Sequence, residues 1–420
     1  MEAADDPLAA HLRVVLVHDW LTGMRGGEKC LDALCRRLPR ARLFNLLHRR
    51  GSVSPAIERL RPRSSFLQHL PGIENYYRYL LPLMPLAARW RVPPCDVVLS
   101  LSHCVAKAAC PPPGVPHVCY CLTPMRYAWH LRSSYLDNES RSFRILAGLR
   151  GWAEHRMLDM LRDWDRRTAE RVTHFIAVSE TVQQRIADCY GRHSQVIYPP
   201  VDTDFYCPAP VPREDFYLVV SALVPYKRID LAVSACTRLG RRLHIIGTGP
   251  ESGRLRVLAG DNVQFLDWQS DSAVRDQMRR CKALLFPGEE DFGIVPVEAQ
   301  ACGAPVIAFG RGGATESVIP STGLWFAEQS VDSLATAIEQ FEKLTFDPHT
   351  ARSNALRFHA DRFTSAMLKF LVHVSRSRTQ SSTVTYERET QARPARNCSM
   401  PLSSTSPPAA KDTRSKPSPA

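Results

Sequence analysis

The chain has 420 residues, 44% hydrophobic and 23% charged, and a formal net charge of +12. That length exceeds one ordinary core and fits two domains, the composition is that of a soluble globular protein, and no apolar stretch approaches the ~18 to 20 residues of a membrane span. The charge is uneven, +10 over residues 1–200, −3 over 201–374 and +5 over 375–420, so a basic first half is expected to meet an anionic surface or acceptor; anionic lipid is favoured, because no nucleic-acid motif appears.

The start, MEAADDPLAA, is acidic and lacks the basic end and apolar run of a signal peptide, so a cytosolic chain is expected, peripheral on the inner face of the membrane. Arg13 to Val17 reads as a buried strand, followed by a glycine loop and a helix from about Gly27 to Leu38. Residues 66–91 mix aromatics, leucines and arginines around prolines; ordinary packing and a membrane-interface segment both fit. Asp96 to Leu101, His117 to Cys121 and Phe175 to Val178 read as further strands. Thirteen cysteines include no CxxC pair, and reduced, mostly buried thiols are expected rather than a metal site. Val196 to Pro212 carries five prolines and marks a boundary. A second strand-helix series follows: Tyr217 to Ala222, Leu243 to Ile246, Val263 to Leu266, Ala283 to Pro287 and Pro305 to Phe309. The expected organisation is an N-terminal Rossmann-like acceptor domain over 1–198 and a C-terminal nucleotide-sugar donor domain over 199–374, its last helix returning to the first. A disordered Ser/Pro-rich basic tail is expected over 375–420.

The most informative segment is EEDFGIVPVEAQACG, residues 289–303. It holds Glu290 and Glu298 eight apart, after a strand-type run and on either side of a helix start. Pro296 suits the first helical position and Gly303 the stop, which puts Glu298 in the first turn. The N–H groups of Gly293, Ile294 and Val295 then point at a crevice suited to phosphate. Spacing alone leaves open that Glu298 only complements the helix dipole and that Glu290 is a solvated loop acid.

The surrounding residues resemble the retaining GT-B glycosyltransferases of family 4, mannosyltransferase-like and of group 1 type. The signature there is two Glu eight apart followed by a Gly-Gly-x-x-Glu turn, here Gly312, Gly313 and Glu316. Val224-Pro225-Tyr226-Lys227-Arg228-Ile229-Asp230 resembles the family's diphosphate loop. His18-Asp19-Trp20-Leu21 with Arg25-Gly26-Gly27-Glu28-Lys29 resembles its N-terminal glycine loop. The resemblance extends from about Arg13 to Phe370 and implies two Rossmann-like domains facing across a cleft.

It also implies roles. Glu290 would hold hydroxyls of the transferred sugar and Lys227 would neutralise the leaving diphosphate. His103, in Ser102-His103-Cys104, reads equally as a remaining cleft histidine or as a satisfied structural one. Glu298 would hold the ribose, with Arg228, Gly293, Ile294, Val295, Gly26, Gly27, Gly313 and Glu316 completing the donor site. Asp19, Arg126 and Tyr127 would line the acceptor cleft. No metal and no cofactor is implied beyond the nucleotide-sugar donor, for which GDP-mannose is the expectation, and Asp267 and Asp291 need not be ligands. The implied acceptor is lipid-linked or an envelope polysaccharide. Two positions depart from the pattern: Ala222 stands where many relatives have a diphosphate-binding Arg, and Leu122 where they have a cleft histidine. These leave a second reading, a catalytically weakened paralogue that binds nucleotide sugar or a partner enzyme. A glycoside hydrolase using Glu290 and Glu298 fits the strand-loop-helix context poorly, and no G-x-G-x-x-G follows the first strand as a nicotinamide enzyme would need.

Overall fold

Val14–His18 (VVLVH) forms the first strand, β1, with all five residues buried. Its side chains alternate between faces: Val14 and Leu16 enter one apolar layer, Val15 and Val17 the other. A strand buried on both faces belongs inside a parallel sheet covered on both sides by helices. The computed structural model, which describes residues 11–129 and 144–391, places it there.

The first lobe is a seven-stranded parallel sheet. It adds β2 (Arg42–Asn45), β3 (Arg63–Ser64), β4 (Val97–Ser102), β5 (His117–Cys121), β6 (His174–Ala177) and β7 (Ser194–Val196), in the order β3-β2-β1-β4-β5-β6-β7. The second lobe is a six-stranded parallel sheet of β8 (Tyr217–Val220), β9 (Leu243–Ile246), β10 (Val263–Asp267), β11 (Ala283–Phe286), β12 (Val306–Phe309) and β13 (Gly323–Phe326), in the order β10-β9-β8-β11-β12-β13. In each sheet the order reverses beside the first strand, between β1 and β4 and between β8 and β11. The crevice beyond the carboxyl ends of such a pair is where an open α/β sheet takes its ligand. This is the GT-B architecture, two Rossmann-like lobes.

Sequence patterning misses β2, β3, β7 and β13, of which β3 and β7, at two and three residues, are too short to show a period. β13 opens on Gly323 because a Cβ there would lie 2.2 Å from the Val306 carbonyl oxygen. Two boundaries differ from expectation. The helix after β11 is Ile294–Ala301 rather than starting at Pro296, so Glu298 lies a turn inside it instead of in the first turn. The last helix, Ala360–Gln391, returns Phe363, Met367, Leu371 and Val374 to the first lobe's core. Its backbone stays helical past Ser375, where composition predicts the tail to begin. Extending an anchored helix avoids the nucleation cost, so even a Ser/Thr/Arg-rich stretch can continue it. Residues 392–420 lie outside the described residues. Among the described residues, no helix is long and apolar enough to cross a membrane, and the twelve cysteines are not joined in disulfides.

Candidate active site

In the second lobe, glycines bring the loops of the crevice together. A Cβ on Gly247 would lie 1.9 Å from the Ser221 oxygen, and one on Gly249 2.2 Å from the Leu223 oxygen, so the loops after β8 and β9 touch through backbone. Gly288, after β11, lies against Lys227, where a Cβ would come within 3.0 Å of the lysine backbone. That approach lets Lys227 Nζ pair with Glu290 Oε1, both side chains being largely but not wholly enclosed. Gly293 takes φ +83° to turn the chain into the Ile294–Ala301 helix, a conformation that glycine adopts without steric cost. Gly313 packs its Cα side against Asp291 and Phe292, where a Cβ would lie 2.2 Å from Phe292 Cα, and its N–H donates to the Glu290 carbonyl at 2.8 Å.

The first lobe supplies the opposite wall. Asp19 follows β1, is fully buried, and accepts from the backbone N–H groups of His103, Cys104, Val105 and Ala106 at 2.6–3.0 Å. Burial works to raise its pKa, but His103 overrides this by charge and by a 2.9 Å contact from Nδ1, holding the carboxyl well below the usual range. Asp19 is therefore a positioning residue, not the cleft-lining acid expected: its oxygens are consumed in fixing the turn after β4. His103 is 29% exposed, and with Nδ1 committed to Asp19, its Nε2 is the nitrogen left for the cleft. Gly27 packs against the Leu122 and His18 side chains, and a Cβ there would meet Leu122 Cδ1 at 2.8 Å. Gly26 abuts Ile294 across the lobes, with an added Cβ 3.2 Å from Ile294 Cδ1.

The two lobes meet through ion pairs. Lys29 Nζ contacts Glu298 Oε1 at 2.6 Å. Burial opposes the lysine's charge, and the Glu298 carboxylate more than offsets it, so the Lys29 pKa is raised. Asp291 takes both Arg126 and Arg185, and Arg185 also reaches Glu289 at 3.1 Å. Burial works to raise the Asp291 pKa; the two guanidiniums reverse that and lower it. Glu316 accepts from the N–H groups of Glu180 at 2.7 Å and Thr181 at 2.9 Å, capping the Glu180–Tyr190 helix of the first lobe.

Several expected donor contacts thus lie elsewhere. Glu316 faces the first lobe's helix, where unpaired N–H groups attract a carboxylate. Arg228 has φ +51° and folds onto Asp230 at 3.2 Å instead of pointing with Lys227. Lys227 pairs with Glu290, Gly26 abuts Ile294, Glu298 meets Lys29 of the helix that Gly26 and Gly27 open, and Val295 is the second residue of the helix that Gly293 opens. Arg126 is in the cleft but engages the second lobe. The Tyr127 side chain lies outside the described residues. Sequence reading passed over Lys29, Arg185, Gly247, Gly249 and Gly288. Gly247-Thr248-Gly249 between a strand and a helix is the one legible signal among these; the cationic partners are set by how the lobes meet, which no local pattern encodes.

Comparison with known proteins agrees with this architecture. The model of Glycosyltransferase Family 4 matches residues 24–205 and that of Glycosyl transferases group 1 matches residues 208–357. A GDP-mannose-dependent alpha-(1-6)-phosphatidylinositol monomannoside mannosyltransferase of Mycobacterium tuberculosis is 31% identical over 233 residues, 47% of this chain and 60% of that protein. A D-inositol 3-phosphate glycosyltransferase of Gordonia bronchialis is 28% identical over 242 residues, 49% of this chain and 53% of that one. The chain therefore spans little more than half the length of these curated relatives. Anabaena HepE, solved with UDP-glucose, shares the fold with a TM-score of 0.61 at 18% identity, over 86% of this chain and 99% of that one.

Proposed function

We propose that this chain, which belongs to the group 1 glycosyltransferases, transfers a hexosyl group from a nucleoside diphosphate sugar to a hydroxyl of a lipid-linked or polysaccharide acceptor. The observation that carries this reading is the double switch point: two parallel sheets bring the crevice at β8/β11 and the crevice at β1/β4 to one junction, lined by Glu290–Lys227 and Glu298–Lys29. As the sugar leaves, negative charge gathers on the diphosphate, and cations and dipoles fixed there lower the barrier. Lys227 and the N–H groups that head the Ile294–Ala301 helix supply them. Glu290, released from Lys227 as phosphate takes that lysine, accepts hydroxyls of the sugar. Glu298 exchanges Lys29 for ribose hydroxyls. His103 Nε2, its tautomer set by Asp19, receives the acceptor proton.

Mannose as the sugar and GDP as the carrier are supported by the mannosyltransferases named among the relatives. Retention of configuration, through attack on the face the leaving group departs from, and independence of metal follow the family resemblance and belong to the proposal. A peripheral position at an anionic membrane is supported by Phe66, Leu83 and Leu86, which are 43–56% exposed, beside exposed Arg89 and Arg91. Ala222 and Leu122 favour the second reading, a nucleotide-sugar binder of weak turnover. A thermal-shift screen of nucleotide sugars followed by assay of labelled donor with membrane extract separates the two. A shift with GDP-mannose and label transfer support the transferase, a shift without transfer supports the binder, and no shift with any nucleotide sugar contradicts both.

A further inference from the structure

A nucleoside diphosphate brings two or more negative charges, and the loop after β8 meets them with one lysine, Lys227, itself paired with Glu290. Ala222 is exposed and uncharged, and Arg228 is folded onto Asp230. A second cation nevertheless stands at the same place. The Arg126 guanidinium carbon lies 5.7 Å from the centroid of the Tyr226 ring, and Lys227 Nζ lies 5.5 Å from that same centroid. Tyr226 is itself well exposed, so the two cations flank an open aromatic surface at the mouth of the crevice. Arg126 is 26% exposed and comes from the first lobe, from the short Arg126–Trp129 helix after β5.

Arg126 is also free to move without stranding a charge. Its carboxylate partner, Asp291, is held from a different side by Arg185, which bridges Asp291 and Glu289. If Arg126 swings toward phosphate, Asp291 stays paired. The neighbouring carboxylate, Glu290, is neutralised by Lys227, and binding of a sugar would give it hydroxyls instead. A planar guanidinium suits two phosphate oxygens at once, which a lysine does not.

We propose that Arg126 is the second diphosphate cation of the donor site, supplied across the cleft by the first lobe in place of the charge absent at position 222. The assignment rests on the nucleotide-sugar reading above and deepens it. Donor binding then draws the two lobes together, because the diphosphate is gripped by Lys227 from one and Arg126 from the other.

Calorimetric titration of the full chain with GDP, UDP and the corresponding nucleosides tests this in four proteins: wild type, Arg126→Met, Arg126→Lys and the double variant Arg126→Met with Ala222→Arg. Arg126→Met is expected to weaken the diphosphate by about 10- to 100-fold while leaving nucleoside affinity unchanged. Arg126→Lys should fall between wild type and Arg126→Met, and it carries the test if the Met variant does not fold. The added arginine at 222 should recover most of the loss, which a merely structural role for Arg126 would not allow. An unchanged ratio of diphosphate to nucleoside affinity in Arg126→Met or Arg126→Lys, or no recovery in the double variant, overturns the assignment. Failure of wild-type protein to bind either diphosphate overturns the nucleotide-sugar reading itself, and the assignment with it.

Discussion

Asp19 and Glu290 each follow the carboxyl end of a strand at their lobe's switch point, yet they are built oppositely. Asp19 has no exposed surface, and its two oxygens accept from four backbone N–H groups and the His103 ring. Glu290 keeps 20% of its side chain exposed and touches one lysine. A carboxylate saturated by its own protein holds shape, whereas one held by a single displaceable cation is available to a ligand. Two carboxylates at equivalent topological places thus differ in what holds them, and satisfaction of their oxygens tells the two apart.

The largest expected effect comes from exchanging the two roles. Asp19→Ala leaves four backbone donors without their acceptor and should cost about 3 to 5 kcal/mol of unfolding free energy. Glu290→Gln should cost under about 1 kcal/mol in the same urea titration, since it removes one partly exposed pair. Equal losses in the two variants would erase the distinction.

Acid should separate the lobes as well. In the first lobe, burial pushes the His117 pKa down to about 4. In the second, the Arg241 hydrogen bond is the largest of the contacts that hold Glu342 at about 2. Both folded pKa values lie below the unfolded ones, so the unfolded chain binds more protons and stability is lost as pH falls. For His117 the loss runs from about pH 6.5 to 4 and approaches roughly 3 kcal/mol; for Glu342 it runs from about pH 4.5 to 2. Hydrogen exchange at pH 5 should therefore show the first lobe opening while the second stays protected. The reverse order would contradict the burial-based account of His117.

Smaller effects test the donor wall and the surface. Glu298→Ala should weaken nucleoside diphosphate binding by about 1.5 to 3 kcal/mol, measured by calorimetry; unchanged affinity would reduce Glu298 to the partner of Lys29. Replacing Arg89 and Arg91 by Ser should weaken binding to anionic vesicles by about 1 kcal/mol each, an effect that fades at high salt. Equal pelleting with neutral and anionic vesicles would remove the membrane from the account.

Much of this was legible in the chain. The buried strands β1, β4, β5, β8 and β11 show as continuous apolar runs, and EDFGIVPVE marks the crevice because a strand end, a glycine turn and a helix start must occur in that order. What was hidden depends on long-range geometry. Nothing local distinguishes Asp19, which folds a loop 84 residues away at His103, from an acid that lines a cleft. Nor does spacing reveal that Glu316 would cap a helix of the other lobe, or that Lys29 and Arg126 would reach across to Glu298 and Asp291. Arg228 shows the reverse case: the sequence places a charge beside Lys227, and a left-handed backbone turn directs it away.

The most direct measurement is release of GDP from GDP-mannose by wild-type protein and by Glu290→Gln in the presence of a membrane acceptor extract. Acceptor-dependent release by wild type, reduced about 10²- to 10³-fold in the variant at unchanged Tm, is the predicted result. Equal release by the two proteins, or release by neither with any nucleotide sugar, would contradict the account.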